Sequence, residues 1–276
     1  MRESNRNPTR LCSGRLLRRA LFLILLFFFF SSLTHAQTLR IAAAADLQFV
    51  LPDLASQYEK QTGAKVAITY GSSGNFSAQI QNGAPFDLFL SADLDYPKKL
   101  TEAGFAESDS LQIYAAGRLA LWLPPDSPLD PASGLKTLLD PRIQKIAIAN
   151  PEHAPYGRAA VAALQNSGLY DQLKPKLVFG ENISQAAQFV QSGSAEAGLI
   201  ALSLALSPAM KNGKRWDIPP DRYPSMEQAV VILKSSPNKQ AAVSFLAFLK
   251  SPQSRATFDR YGYAAPSSST AAGQKP

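Results

Sequence analysis

Four short stretches place hydroxyl, amide and glycine residues where strand-like runs give way to helix-like ones. They are Ala44-Ala45-Asp46-Leu47, Gly71-Ser72-Ser73-Gly74, Ala154-Pro155-Tyr156-Gly157 and Glu181-Asn182-Ile183-Ser184. No residue between Thr69 and Gly83 is charged. The first N–H groups of a helix have no partner within it, and the aligned peptide dipoles put partial positive charge there. Such an end can hold a small anion without lysine or arginine. Glycine lets the backbone approach closely, and a serine hydroxyl adds a donor. Converging in one cleft, four such turns would surround a tetrahedral oxyanion. Taken singly, each is also an ordinary helix cap, so the anion reading depends on convergence.

The same residues invite an enzymatic reading. Ser72 or Ser73 could be a nucleophile, but the elbow motif requires Gly-x-Ser-x-Gly. Gly71 suits Ser73, whereas position 75 is Asn. A histidine base is also wanted, and beyond residue 36 the chain has His153 alone, which reads as a surface loop residue. Ser133-Gly134-Leu135-Lys136 matches Ser-x-x-Lys without the companion motifs, and reads as a chance match at a helix start. No Cys/His cluster has metal-ligand spacing. Trp122 and Trp216 read as packing residues, and Lys211 to Arg215 as a solvated surface loop.

Elements that could carry the four turns alternate along the chain. Runs at Leu39 to Ala44, Lys65 to Tyr70, Asp87 to Ser91, Lys145 to Ala149, Lys176 to Phe179, Ala197 to Ala201 and Glu227 to Leu233 have strand length and composition. Leu47, Leu51, Leu54 and Tyr58 recur at helical spacing, with Pro52 distorting the first turn. Further helices are predicted at Asn75 to Gln81, Pro97 to Ala103, Leu135 to Leu139, Tyr156 to Gln165, Ile183 to Gln191, Lys239 to Lys250 and Pro252 to Arg260. Two extended runs, Gln112 to Ala116 and Leu119 to Leu123, flank Gly117. Such β–α alternation predicts an α/β fold with parallel sheets covered on both faces, and ligands beyond the carboxyl ends of the strands.

The first 36 residues carry six arginines, then the apolar run Leu21 to Phe30, then Thr34-His35-Ala36. That is the pattern of a secretory signal peptide cut after Ala36. Arg18-Arg19 matches a twin-arginine signal only weakly, so the general export route, to a bacterial periplasm, is expected. The formal charge of +7 largely leaves with this segment: 22 Lys plus Arg then face 20 Asp plus Glu. That balance excludes a nucleic-acid footprint. The single cysteine, Cys12, leaves as well, so the mature chain must rest on its core.

With "LRIAAAADL", "YGSSGNFSAQIQNGAPFDLFLSAD", "KIAIANPEHAPYGRAA" and "ENISQA" in order, the chain resembles the periplasmic molybdate-binding proteins of ABC transporters over most of Leu39 to Pro266. The resemblance implies the type II periplasmic binding protein fold, two α/β lobes with the ligand cleft between them. Residues 37–117 and 227–266 would form lobe 1 and residues 118–226 lobe 2; residues 267–276, rich in Ser, Ala and Gly with no apolar pattern, read from composition as a disordered tail. It implies a monomer that catalyses nothing, needs no cofactor, and delivers molybdate or tungstate to a membrane permease. Carried over by position, the oxyanion-binding residues are Ala45, Asp46, Ser72, Ser73, Tyr156 and Ile183. Ala45, Tyr156 and Ile183 would act through backbone N–H groups, Ser73 through N–H and hydroxyl.

Two positions depart from the family pattern. Ala201 stands where some relatives supply a tyrosine hydroxyl, and Asp46 where relatives often have Ser, Thr or Asn. Either Asp46 caps the following helix, or its carboxylate accepts a proton from the ligand. The second reading would suit phosphate, because molybdate and sulfate carry no proton near neutral pH. A phosphate- or sulfate-binding protein of the same fold, and a secreted serine hydrolase, are the alternatives.

Overall fold

The computed structural model describes residues 38–267. The expected signal segment and residues 268–276 of the expected tail lie outside these described residues. The strands are Thr38–Ala44 (β1), Lys65–Gly71 (β2), Leu88–Ser91 (β3), Gln112–Ala116 (β4), Leu119–Leu123 (β5), Ile146–Ala149 (β6), Leu177–Gly180 (β7), Ala197–Ala201 (β8), Lys214–Asp217 (β9) and Glu227–Ile232 (β10). The α-helices are Val50–Thr62 (α1), Ser73–Gln81 (α2), Asp95–Glu102 (α3), Pro155–Asn166 (α4), Tyr170–Leu173 (α5), Ile183–Gln191 (α6), Leu202–Ala205 (α7), Lys239–Leu249 (α8) and Pro252–Arg260 (α9).

Two five-stranded sheets result, in the orders β2-β1-β3-β10-β4 and β7-β6-β8-β5-β9. The chain passes from the first sheet to the second between β4 and β5, at Gly117, and returns between β9 and β10. The sheets are mixed rather than parallel. β10 runs antiparallel to β3 and β4, and β5 antiparallel to β8 and β9. Helical crossovers within one sheet enforce parallel pairing. β5 and β10 arrive instead from the other sheet, so that constraint does not apply to them.

Period-two alternation lets the central strands of the first sheet feed two cores. Leu39, Ile41 and Ala43 of β1, with Leu88 and Leu90 of β3, pack under α1, α8 and α9 against Tyr58, Phe245 and Phe258. Ala42 and Phe89 face the other way, against Phe76 and Ile80 of α2 and Leu100 of α3. Each such buried leucine or phenylalanine contributes about 1.5–3 kcal/mol. The second sheet is buried in the same manner, with β6 and β8 packed against α6.

Local departures from the sequence expectation have identifiable causes. Pro52 does not distort a turn. The chain first makes a 3-10 turn, Ala45–Leu47, and α1 begins at Val50. Pro52 is then a first-turn residue, where no N–H is needed. The helix expected at Leu135 to Leu139 is a 3-10 run, Pro131–Leu139, broken at Gly134 where φ is 63°. The Lys211 to Arg215 stretch is not simply a loop, because Lys214 and Arg215 open the edge strand β9.

Asp87 anchors the first sheet. Its buried carboxylate accepts from the Arg40 backbone N–H at 2.7 Å, Ser236 Oγ at 2.7 Å and Asn238 Nδ2 at 3.2 Å. Burial alone would raise its pKa, but these hydrogen bonds outweigh burial and hold it below the ordinary value. A carboxylate depressed in the folded state stabilises above its unfolded value, and that contribution disappears as pH falls through the folded one. Asp87→Ala leaves the Arg40 N–H, Ser236 and Asn238 without their acceptor. Urea unfolding near neutral pH should show a loss of about 2–4 kcal/mol, shrinking toward acid.

Candidate functional site

The four turns converge. Ala45, Asp46, Ser72, Ser73, Tyr156 and Ile183 line one cavity, together with Ala44, Gly71, Ala92, Ala154, Pro155 and Asn182. None of these residues is a lysine, arginine or histidine. Each turn has a local reason for its shape. Ser72 caps α2, its Oγ accepting from Asn75 N at 3.4 Å, and Ser73 Oγ accepts from Ala92 N at 3.0 Å. A hydroxyl whose lone pair takes a backbone N–H still has its own proton to donate. Pro155 opens α4 at a position where its missing N–H is not needed. Asn182 caps α6, its Oδ1 accepting from Ser184 N at 3.0 Å and Gln185 N at 3.1 Å. At Ser72 and Asn182 the cap reading and the anion reading are compatible: the side chain satisfies later N–H groups, and the first N–H of each helix has no partner within it.

Asp46 does not cap α1; no side-chain cap bond is made at the start of that helix. Its side chain is fully buried. Oδ2 accepts from Gln228 Nε2 at 2.6 Å, Tyr263 Oη at 3.0 Å and Tyr156 Oη at 3.2 Å. Oδ1 has no partner among the described residues. Burial pushes this carboxyl's pKa up, and the hydrogen bonds from Gln228, Tyr263 and Tyr156 only partly oppose it. The Asp46 carbonyl accepts from Ser203 Oγ and Tyr263 Oη, both at 2.9 Å. Gln228, Tyr263 and Ser203 escaped the sequence reading, since they lie 182, 217 and 157 positions from Asp46. The Tyr156 hydroxyl adds a contact beyond the backbone N–H expected of that residue.

A family model described as bacterial extracellular solute-binding protein matches residues 39–264. The chain belongs to that family. The molybdate-binding protein ModA of Azotobacter vinelandii is 40% identical over 230 residues, 83% of this chain and 90% of the relative. The ModA of Rhodobacter capsulatus is 38% identical over 222 residues, 80% of this chain and 86% of the relative. Among solved structures, the periplasmic molybdate-binding protein of Azotobacter vinelandii superposes with a TM-score of 0.78 at 38% identity, covering 83% of this chain and 99% of that one. The two sheets are accordingly the two lobes of the type II periplasmic binding protein fold.

In a solute-binding protein the contacts between lobes decide how readily the cleft opens, and here several are made by residues next in sequence to those lining the cavity. Gly74 N donates to His153 O at 2.9 Å, and Ser184 Oγ donates to Gln48 Oε1 at 2.6 Å. Asn75 Nδ2 bonds Glu181, and Arg158 pairs with Asp93 while its guanidinium sits 5.4 Å from the Tyr96 ring centroid. His153 is therefore not a free surface residue. Its ring Nε2 lies 2.9 Å from Glu181 O and its carbonyl bridges to the other lobe. Ala201 is buried at the end of β8, and no tyrosine of that strand lines the cavity.

Proposed function

We propose that this chain captures molybdate, and tungstate with it, in the periplasm and delivers it as a monomer to the membrane permease of an ABC importer. The observation that carries the reading is the cavity itself: four strand-to-helix turns from two lobes, with neutral donors and no cationic side chain around it. A doubly negative tetrahedral oxyanion matches such a lining, because helix N-termini supply N–H groups and partial positive charge together. The backbone N–H groups of Ala45, Tyr156 and Ile183 and the hydroxyls of Ser72 and Ser73 are the proposed donors. The relatives named molybdate-binding proteins support the choice among oxyanions. Selectivity would come from cavity size and donor geometry, a larger oxyanion filling what sulfate leaves loose.

A phosphate reading is favoured by one observation, the unpartnered Asp46 Oδ1, which could accept a proton-bearing ligand oxygen. Thermal melts of the mature protein with molybdate, tungstate, sulfate or phosphate separate the readings. A ligand at 100 times its dissociation constant adds about 2.7 kcal/mol, or about 5–11 °C for a chain of this size. Molybdate and tungstate should produce that shift at concentrations where sulfate and phosphate do not. A shift with phosphate alone would replace the proposal.

A further inference from the structure

Asp46 poses a charge problem that the proposed ligand sharpens. A dianion would share the cavity with a carboxyl group that has no cation within its hydrogen-bond set. The groups facing it come from four elements or segments. Tyr156 belongs to α4, Gln228 to β10, Tyr263 to the segment after α9, and Ser203 of α7 holds the Asp46 carbonyl. Tyr114 of β4 backs this cluster, its hydroxyl 2.8 Å from Gln228 Oε1. That bond fixes the Gln228 amide so that Nε2, the donor end, meets Asp46. Burial together with the nearby Asp46 pushes the Tyr114, Tyr156 and Tyr263 hydroxyls well up, so all three keep their protons. Asp93, paired with Arg158, acts on Tyr114 and makes no bond to Asp46.

Gln228 and Tyr156 therefore donate to Oδ2, with the single Tyr263 hydroxyl proton shared between Oδ2 and the Asp46 carbonyl, while Oδ1 is buried with no donor. An ionised carboxylate would leave buried negative charge unpaired on Oδ1, which is costly. A carboxylic acid resolves the asymmetry: Oδ2 is the carbonyl oxygen that accepts, and Oδ1 carries the proton. We propose that Asp46 works in the bound state as a neutral acid whose Oδ1–H donates to the captured oxyanion, doing what an amide or hydroxyl would do at this position. This rests on the oxyanion reading above. Where Asp46 is ionised in the anion-free protein, capturing a fully deprotonated dianion then takes up one proton from solvent, and nothing else changes hands.

Two readouts test it. The infrared difference spectrum of the tungstate-bound protein at about pH 8 should show the C=O stretch of a protonated carboxyl, absent in Asp46→Asn. Calorimetry with tungstate from about pH 6 to about pH 9 should show wild-type affinity falling, by up to about tenfold per pH unit, over whatever part of that range the anion-free Asp46 is ionised. Asp46→Asn, isosteric and always able to donate from Nδ2, should bind with an affinity flat in pH and near the wild-type acid limit. A bound state without the carboxyl band overturns the proposal, whether or not the variant folds. So does a fall in wild-type affinity with pH that Asp46→Asn reproduces, or a wild type that prefers phosphate and loses it on Asp46→Asn. Failure of the oxyanion reading looks different: no oxyanion then binds either protein at any pH.

Discussion

Gly74→Ala should leave both lobes folded and remove tight anion binding. A Cβ at this position would lie 2.7 Å from His153 O, 2.8 Å from His153 Cβ and 2.6 Å from Tyr96 Oη. The tyrosine hydroxyl can swing aside, but His153 O cannot. It belongs to a turn closed by Ala154 N donating to Asn150 O at 2.9 Å, on the opposite lobe from Gly74. The added methyl therefore acts as a wedge at the cleft, and the Gly74 N–H to His153 O bond is stretched along with it. If the binding-competent closed form becomes a hundred times rarer, apparent affinity drops by the same factor, about 2.7 kcal/mol. Within lobe 1 the close approach is to the Tyr96 hydroxyl, the far end of a side chain that can rotate away, and Gly74 sits in the first turn of α2. The anion-free melt should hold, while calorimetric affinity for molybdate drops at least about a hundredfold. Unchanged affinity would show that the lobes close without this contact.

The turns that make the cavity were legible because cap chemistry is local. Ser72, Pro155 and Asn182 act within three residues of their own positions, so a short window of sequence contains the whole device. Helices such as Ile183–Gln191 and Pro252–Arg260 could be bounded for the same reason. The orientation of β5 and β10 could not, since nothing in an apolar run records which sheet the chain has just left. β9 hid behind its charges: Lys214, Arg215 and Asp217 suit an edge strand, where charge discourages further pairing, but they erase the apolar signal of a strand. Of the two readings the sequence leaves open for Asp46, the structure removes the cap, because no side-chain cap bond is made at the start of α1. The partners of Asp46 come from β10 and the C-terminal segment of its own lobe and from α4 of the other, all more than a hundred positions away in sequence.

Gly157→Ala should damage the same site by a different route. The new Cβ would sit 2.2 Å from Ala149 O, 2.9 Å from Ala149 C and 2.8 Å from Pro151 N. All three are backbone atoms of the same lobe, at and just beyond the end of β6. No rotamer change relieves them, so α4 must retreat from the strand that positions it. Forced overpacking of this kind costs about 1–3 kcal/mol where side chains can adjust, and more where only backbone can move. A loss of about 3 kcal/mol or more, or a melting temperature lower by about 6–12 °C, is expected for the anion-free protein. Binding is lost as well. Tyr156 precedes Gly157 on that helix, and its displacement moves one proposed N–H donor and the hydroxyl that sits 3.2 Å from Asp46 Oδ2. The two glycines thus separate what a binding assay alone would merge. One contact is made only when the lobes meet, and its loss shows in affinity without stability. The other is built into lobe 2, and its loss must show in urea unfolding before any ligand is added. A Gly157→Ala protein as stable as wild type would mean that the β6-to-α4 turn can widen freely, and that the third wall of the cavity is not set by this packing.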